Sequence, residues 1–310
     1  MLPATIWALP VRNLLNPLGD VWKRRLLGVF HVLFSLVIVA TGARIVTDAA
    51  YISTRRGERF GWCWNDDFVP VKAAEFADRE RLPGRMLNHL NFGGYLMWAR
   101  QEPVFIDGRT EVMGVGFYKV FERAMTDPAA LETCVARYGI TWIIFPHGLM
   151  PELVGRLSVD ENWRLAYADN LAAIFRRNDG TLLEEPVVTA MPVRRTQVVD
   201  LPGLGGGPRD IGIPKWLAGF WKKQEFPSED HCLGLFHLYR GESALAEVRF
   251  AAAIMNSRGA YYEHYNNLGA ALFRQGRWEE ALRCYLVVLR ERPEETIARR
   301  RIEEIRAAME

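Results

Sequence analysis

The chain has 310 residues, of which 49% are hydrophobic and 25% are charged, and this is enough apolar material for one large or two ordinary globular domains. Lys and Arg (39) nearly balance Asp and Glu (37), so the net charge of +2 argues against nucleic acid as a partner. No CxxC pair is formed by the four cysteines, which are Cys63, Cys134, Cys232 and Cys284. The sequence therefore supports neither a metal knuckle nor a redox dithiol.

An uncharged run of eighteen residues, Leu26 to Ala43, follows three adjacent basic residues. At about 1.5 Å of rise per residue, this run is long enough to cross a bilayer core of roughly 30 Å. It offers no polar face to a soluble core, so we predict a single transmembrane helix over residues 26–46. A buried helix and a cleaved signal sequence are the alternatives, although Thr41-Gly42-Ala43 is a poor cleavage site.

Residues 1–25 form a lead that either lies along the membrane surface or is disordered. Basic residues flank the predicted transmembrane helix equally, with Arg12, Lys23, Arg24 and Arg25 before it and Arg44, Arg55, Arg56 and Arg59 after it. The count therefore gives no orientation. The three adjacent charges next to the membrane favour a cytoplasmic N-terminus.

Helical and strand-like patterns alternate over residues 64–178, where we predict a small three-layer α/β domain with a mixed sheet. The predicted strands are 86–90, 103–106, 140–145, 163–167 and 171–175. The predicted helices begin at 70, 94, 117 and 151, and the third of them is divided at Asp127-Pro128. Ala168-Asp169-Asn170 predicts a hairpin turn between the last two strands.

Prolines and glycines crowd residues 179–214, which we predict to be a linker. Residues 215–310 then contain an internal repeat with a period of 35 residues. The positions Leu233-Gly234, Gly241, Ala246, Phe250 and Ala253 recur as Leu268-Gly269, Gly276, Ala281, Tyr285 and Val288. Such a period is typical of stacked helix-turn-helix units. We expect 294–309 to form a capping helix and 216–226 a helix that covers the other end.

The second of these units resembles the tetratricopeptide repeat through YNNLG (265–269), GRWEEA (276–281), Tyr285 and Pro293. The first unit departs from the family pattern at His237 and Arg258. The resemblance implies an all-α module whose concave face holds an extended segment of a partner protein. The residues assigned to this protein-binding groove are Tyr265, Asn267, Phe273 and Arg274.

The densest polar cluster follows two of the predicted strands, and we treat it as a candidate ligand-binding site. Its members are Asn88, Asn91, Gly93, Gly94, Asp107, Arg109 and Glu111. Bare amides at Gly93-Gly94, before a predicted helix, fit an anion. In the alternative interpretation the glycines make a turn, Asn88 and Asp107 bond loop amides, and Arg109 pairs with a neighbouring carboxylate.

Four segments carry a second resemblance: GRMLNHLNFGGYLMW (84–98), VFIDGR (104–109), WRLAY (163–167) and AIF (173–175). Residues 70–177 resemble the soluble C-terminal domain of bacterial polytopic membrane proteins related to the lipid-linked-sugar glycosyltransferases. The resemblance implies an extracytoplasmic location for this domain. Only one hydrophobic span precedes it here, and the acidic membrane-loop motif of those proteins is absent, so no catalytic residue carries over.

The sequence contains no HExxH or GxSxG pattern, and no motif indicates catalysis, a metal or a cofactor. We therefore interpret the chain as a scaffold or adaptor of the bacterial cell envelope, anchored in the inner membrane and facing outward, which binds a protein partner through its repeats. A polytopic glycosyltransferase is one such partner. The alternative is an accessory or degenerate glycosyltransferase-related protein whose α/β domain binds a sugar or lipid phosphate. A third interpretation is that the chain is the tail of a split polytopic protein.

Overall fold

The structure, a computed structural model, describes residues 20–47, 50, 68–178, 186–188, 201, 227–257, 259 and 261–309. The described residues from 68 onward belong to one compact unit, and those up to 50 belong to another. Residues 1–19 of the predicted lead, Cys63 and the predicted helix 216–226 lie outside the described residues.

Helix α1 (Asp20–Val46) contains the apolar run of the first unit. Its segment 24–46 is 23 residues long and, by length and composition, apolar enough to cross a membrane. The large apolar side chains of this segment are exposed, and Phe30, Leu33 and Phe34 expose 62%, 57% and 55% of their surface. The predicted long helix over residues 26–46 is therefore present, with its apolar side chains on the outside.

A mixed five-stranded sheet forms the centre of the second unit. Its strands are β1 (Arg85–Asn88), β2 (Ile140–Pro146), β3 (Trp163–Ala168), β4 (Ala172–Arg177) and β5 (Val187–Val188). They lie in the order β1-β2-β4-β3-β5, with parallel pairs β1/β2 and β3/β5 and with β4 antiparallel to both of its neighbours. The predicted mixed sheet and the hairpin are confirmed. Strand β5 lies within the segment predicted to be a linker, so the sheet extends further along the chain than residue 178.

Helices cover both faces of this sheet because side chains alternate along each strand. The helices are α2 (Val71–Arg79), α3 (Leu90–Arg100), α4 (Thr110–Thr126), α5 (Pro128–Tyr138) and α6 (Pro151–Val159), with a short 3-10 helix at His147–Leu149. Helices α2 and α3 share a core with Trp142 and Ile144 of β2. Helices α4, α5 and α6 share a second core with Ile143 and Phe145 of the same strand.

Several predicted boundaries around the candidate ligand site are wrong. The strand predicted over 86–90 ends at Asn88, and the helix predicted to begin at 117 begins at Thr110. Residues 103–106 are not a strand, because they form an irregular segment bonded to the side chain of Asn88 rather than to a neighbouring strand. Helix α3 begins at Leu90 instead of Gly94, since His89 caps it and accepts a hydrogen bond from the Asn91 amide through Nδ1. The predicted division at Asp127 is confirmed, as its carboxylate caps α5.

Five helices follow: α7 (Pro227–Tyr239), α8 (Ser243–Asn256), α9 (Tyr262–Arg274), α10 (Trp278–Glu291) and α11 (Thr296–Met309). A Cβ on Gly234 would lie 2.5 Å from the ring of Phe250, so α7 and α8 approach closely there. The same relation recurs 35 residues later between Gly269 and the ring of Tyr285, at 2.9 Å. Helices α7–α8 and α9–α10 therefore form two hairpins that repeat one packing contact.

Helix α7 also packs against the α/β part of the unit. Phe236 is completely buried and belongs to the same core cluster as Phe145 and Leu153. Its ring lies 5.0 Å from the ring of His147, and a Cβ on Gly155 of α6 would lie 3.5 Å from the Tyr239 carbonyl oxygen. The α/β part therefore covers the α7 end of the helical stack, a position that the sequence analysis assigned to residues 216–226.

Candidate functional sites

Asn88, at the end of β1, is fully buried and uses all of its hydrogen-bonding capacity inside the protein. Its amide nitrogen donates to the carbonyl oxygens of His89 (3.0 Å) and Ile106 (2.7 Å). Its amide oxygen accepts from the backbone nitrogens of Phe105 (2.8 Å) and Ile106 (3.4 Å). Asn88 thus holds the segment before Asp107 against the edge of the sheet and has no polar atom left for a ligand.

Asp107 and Arg109 form a pair at the end of that segment. The Asp107 carboxylate is 3% exposed and accepts from the Arg109 backbone nitrogen (2.8 Å), from Nε (3.1 Å) and from Nη2 (2.5 Å). These hydrogen bonds from Arg109 lower the pKa of Asp107 below its ordinary value, and the same pairing raises the pKa of Arg109. The Arg109 side chain is 63% exposed, so its outer edge still faces solvent.

The glycine pair has two different environments, and both residues lie inside α3 rather than before a helix. A Cβ on Gly93 would clash with the Ile106 carbonyl oxygen and lie 2.7 Å from the Asp107 Cα, whereas a Cβ on Gly94 would meet nothing within 4 Å. Asn91 and Glu111 are exposed. Gly93 therefore permits close packing of the helix on the Asp107 segment, and the bare amides expected for an anion are not formed.

One of the four residues predicted to line the protein-binding groove is buried in the structure. Tyr265 is only 2% exposed and lies in the core between the helices, where burial raises its pKa to about 12. Asn267 and Phe273 are half-buried, and Arg274 is exposed and donates from Nη1 to the Leu238 carbonyl oxygen (2.7 Å). Of the four residues predicted to line this groove, Asn267, Phe273 and Arg274 are therefore accessible.

A cleft that the sequence analysis missed lies along β1, with a volume of about 650 Å³. Three of its residues, Phe105, Phe117 and Tyr138, form an aromatic cluster with ring centroids 5.0–6.1 Å apart. The sequence does place Phe105, Phe117 and Tyr138 near the ends of predicted strands and helices. Their convergence depends on the irregular path of residues 103–106, which the sequence analysis predicted to be a strand.

Cys134, Cys232 and Cys284 are present as thiols. Burial raises the pKa of Cys134 to about 11, so it is poorly suited to act as a thiolate nucleophile. Within the described part of the chain, no group of three or more His, Cys, Asp and Glu side chains is placed to hold a metal ion. Comparison with known proteins finds no matching family model, no matching curated protein and no matching solved structure.

Proposed function

We propose that the protein is a membrane-anchored adaptor whose C-terminal helices, α7–α11, bind an extended segment of a partner protein. The observation that carries this proposal is the repeated hairpin contact, Gly234 with Phe250 and Gly269 with Tyr285. Stacked helix pairs of this kind present an elongated surface and are widely used to bind peptides. The resemblance of the second hairpin to the tetratricopeptide repeat supports the same function.

The accessible side chains on α9 are suited to this ligand. Asn267 offers a donor and an acceptor, which is what the backbone of an extended peptide requires. Phe273 offers an apolar surface, although the Arg301 guanidinium already lies 5.3 Å from its ring centroid. Two hairpins make a short groove, so we expect modest affinity for a segment of a few residues.

The location that we propose is the inner membrane of a bacterial cell, with the N-terminus in the cytoplasm and the compact unit outside. The exposed apolar side chains of α1 support the anchor, because exposing such a helix to water is unfavourable and exposing it to lipid is not. The cluster Lys23-Arg24-Arg25 supports the orientation. Extraction of membranes at alkaline pH tests the anchor, since an integral protein stays in the pellet.

No contact among the described residues favours the alternative in which Asn88, Asn91, Asp107 and Arg109 bind a sugar or lipid phosphate. Asn88 has no spare hydrogen-bonding atom, and the Asp107 carboxylate is occupied by Arg109. The adaptor function is therefore the one we carry forward.

The experiment is site-specific photo-crosslinking of the full chain in its own membranes. A photoreactive residue replaces Asn267 or Phe273 on α9, and the control replaces Leu286, which is 46% exposed on α10. We expect both α9 positions to capture the same protein and Leu286 to capture none. Capture that is equal at all three positions, or absent from both α9 positions, contradicts the proposal.

A further inference from the structure

The cleft along β1 is a built cavity that the adaptor function does not use. Its lining includes Met86, Ile140, Trp142 and residues 102–105. Its volume of about 650 Å³ is within the range of pockets that hold small organic molecules, roughly 300–1,000 Å³. All of the lining residues lie between positions 82 and 142, so the cavity belongs to the α/β part alone.

The walls are suited to a planar apolar group. Phe105 lies 5.0 Å from Phe117 and 5.3 Å from Tyr138, measured between ring centroids, and the second of these contacts is edge-to-face. Further aromatic rings pack favourably against such a cluster in offset or edge-to-face geometry. Val104 and Met86 extend the apolar surface.

The charges around the cleft favour an anion. Arg85 is one of the lining residues, and its Nη1 donates to the Tyr138 carbonyl oxygen at 3.4 Å. The Arg137 guanidinium lies 5.3 Å from the centroid of the Tyr138 ring. Among the described residues, no carboxylate makes an ion pair with either of these arginines.

The one acidic residue of the lining is already paired. Glu102 Oε2 lies 2.8 Å from Nη2 of Arg100, and Arg100 itself is 4% exposed and stacks over the ring of Trp142 at 5.5 Å. Nη1 of Arg100 also lies 2.5 Å from Oδ1 of Asp78, so Glu102 and Asp78 share one guanidinium. The positive charges beside Tyr138 are those of Arg85, which lines the cleft, and Arg137.

We propose that this cleft binds a small amphiphilic anion, with a planar apolar group against Phe105 and Phe117 and a phosphate or carboxylate beside Arg85 and Arg137. The shape and apolar walls select the body of the ligand, and the two guanidiniums select its charge. This site is independent of the groove on α9.

Calorimetric titration of the full chain in phosphatidylcholine nanodiscs tests the proposal, with empty nanodiscs as the blank. The probe is 2-naphthyl phosphate, and the comparison ligands are inorganic phosphate and 2-naphthylmethylammonium. We expect the probe to bind most tightly. Arg85→Gln should weaken its binding about tenfold, because one charge-assisted hydrogen bond is lost.

The matched control is Arg164→Gln, since Arg164 is also an exposed arginine near the start of a strand but lies on β3. It should bind the probe like the parent protein. A second variant, Arg137→Gln, should weaken binding in the same direction as Arg85→Gln. Equal binding of the ammonium compound, no binding of the probe, or unchanged binding by both arginine variants overturns the proposal.

The same chemistry is available from a free metabolite or from an anionic membrane lipid, and a second set of nanodiscs separates the two. If a lipid occupies the cleft, phosphatidylglycerol in the nanodisc will compete with the naphthyl phosphate and reduce its apparent affinity in the parent protein. If the ligand is free, the affinity will be the same in both lipids. Either result supports the site and identifies the source of its ligand.

Discussion

The ring of Phe236 lies 5.0 Å from the imidazole of His147, and this contact joins a C-terminal helix to the core of the α/β part. Phe236 is fully buried there, although it lies far along the chain from β4, which ends at Arg177. Phe236, from the region that the sequence analysis treated as a separate helical domain, is therefore part of the α/β core, although most buried residues of the helices form a second core. We expect the two cores to unfold together.

Phe236→Ala should lower the free energy of unfolding of the compact unit by about 3–5 kcal/mol, because it leaves a cavity in the α/β core. Denaturant unfolding of the full chain in detergent, followed by tryptophan fluorescence, measures the change. Phe68→Ala is the control, since Phe68 is 70% exposed and should shift stability by less than about 0.5 kcal/mol. Equal effects of the two substitutions would contradict the burial of Phe236 in the α/β core.

Gly93→Ala and Gly94→Ala should act in opposite directions although the residues are adjacent on α3. A methyl group at Gly93 meets the Ile106 backbone, which cannot move without breaking the bonds to Asn88, so we expect a loss of about 1–3 kcal/mol or more. A methyl group at Gly94 meets open space, so alanine should stabilise the helix by up to about 1 kcal/mol. Thermal unfolding of the two variants tests the difference, and a stabilising Gly93→Ala would show that the close approach is not formed.

Asn88→Ala should destabilise the protein by about 2–4 kcal/mol, because it leaves the buried backbone groups of Phe105 and Ile106 without partners. Asn91→Ala, at an exposed position three residues later, should be close to neutral. Hydrogen exchange at the amides of Phe105 and Ile106 should accelerate in the first variant only. Unchanged exchange at these amides would exclude the structural role that we assign to Asn88.

His147 should make stability fall as the pH falls from about 6.5 to about 4. Burial lowers its pKa to about 4, so in this range the unfolded state binds a proton that the folded state does not. The full effect is on the order of 3 kcal/mol. Asp169, whose carbonyl oxygen accepts from His147 Nε2, has a carboxyl pKa raised by burial, and this opposes the trend.

The comparison of the parent protein with His147→Gln isolates the histidine, because Asp169 is common to both. The amide of glutamine can donate to the same carbonyl oxygen and does not titrate. Denaturant unfolding at several pH values should show a steeper acid loss in the parent protein. Parallel curves for the two proteins would mean that His147 is not the titrating group.

Local patterns predicted most of the regular elements. The apolar run Ile140 to Phe145 became the inner strand β2, and Asp127 capped α5 as its position before a proline indicated. The 35-residue displacement predicted that positions of the first hairpin recur in the second, and the contact of Gly234 with Phe250 does recur between Gly269 and Tyr285. These features depend on residues close in sequence or on a repeated spacing, and a single sequence displays both.

Features that depend on distant contacts were not predicted. Val104 to Ile106 has the composition of a strand, but Asn88 binds this segment from the side, so it runs as an irregular segment. Val187 pairs with β3 from within a segment rich in proline and glycine, where local pattern favours a linker. In the candidate ligand site, the sequence placed Asp107 and Arg109 near each other but did not decide between a ligand and an internal pair.

The burial of Phe236 among residues of the α/β part also has a consequence for synthesis of the chain. Domains generally fold as they emerge from the ribosome, N-terminal parts first. Here the strands up to β4 are synthesised before α7. Until α7 emerges, their hydrophobic core lacks the side chain of Phe236. A nascent chain stalled before residue 227 should therefore be protease-sensitive, whereas one that has released α7 should become resistant.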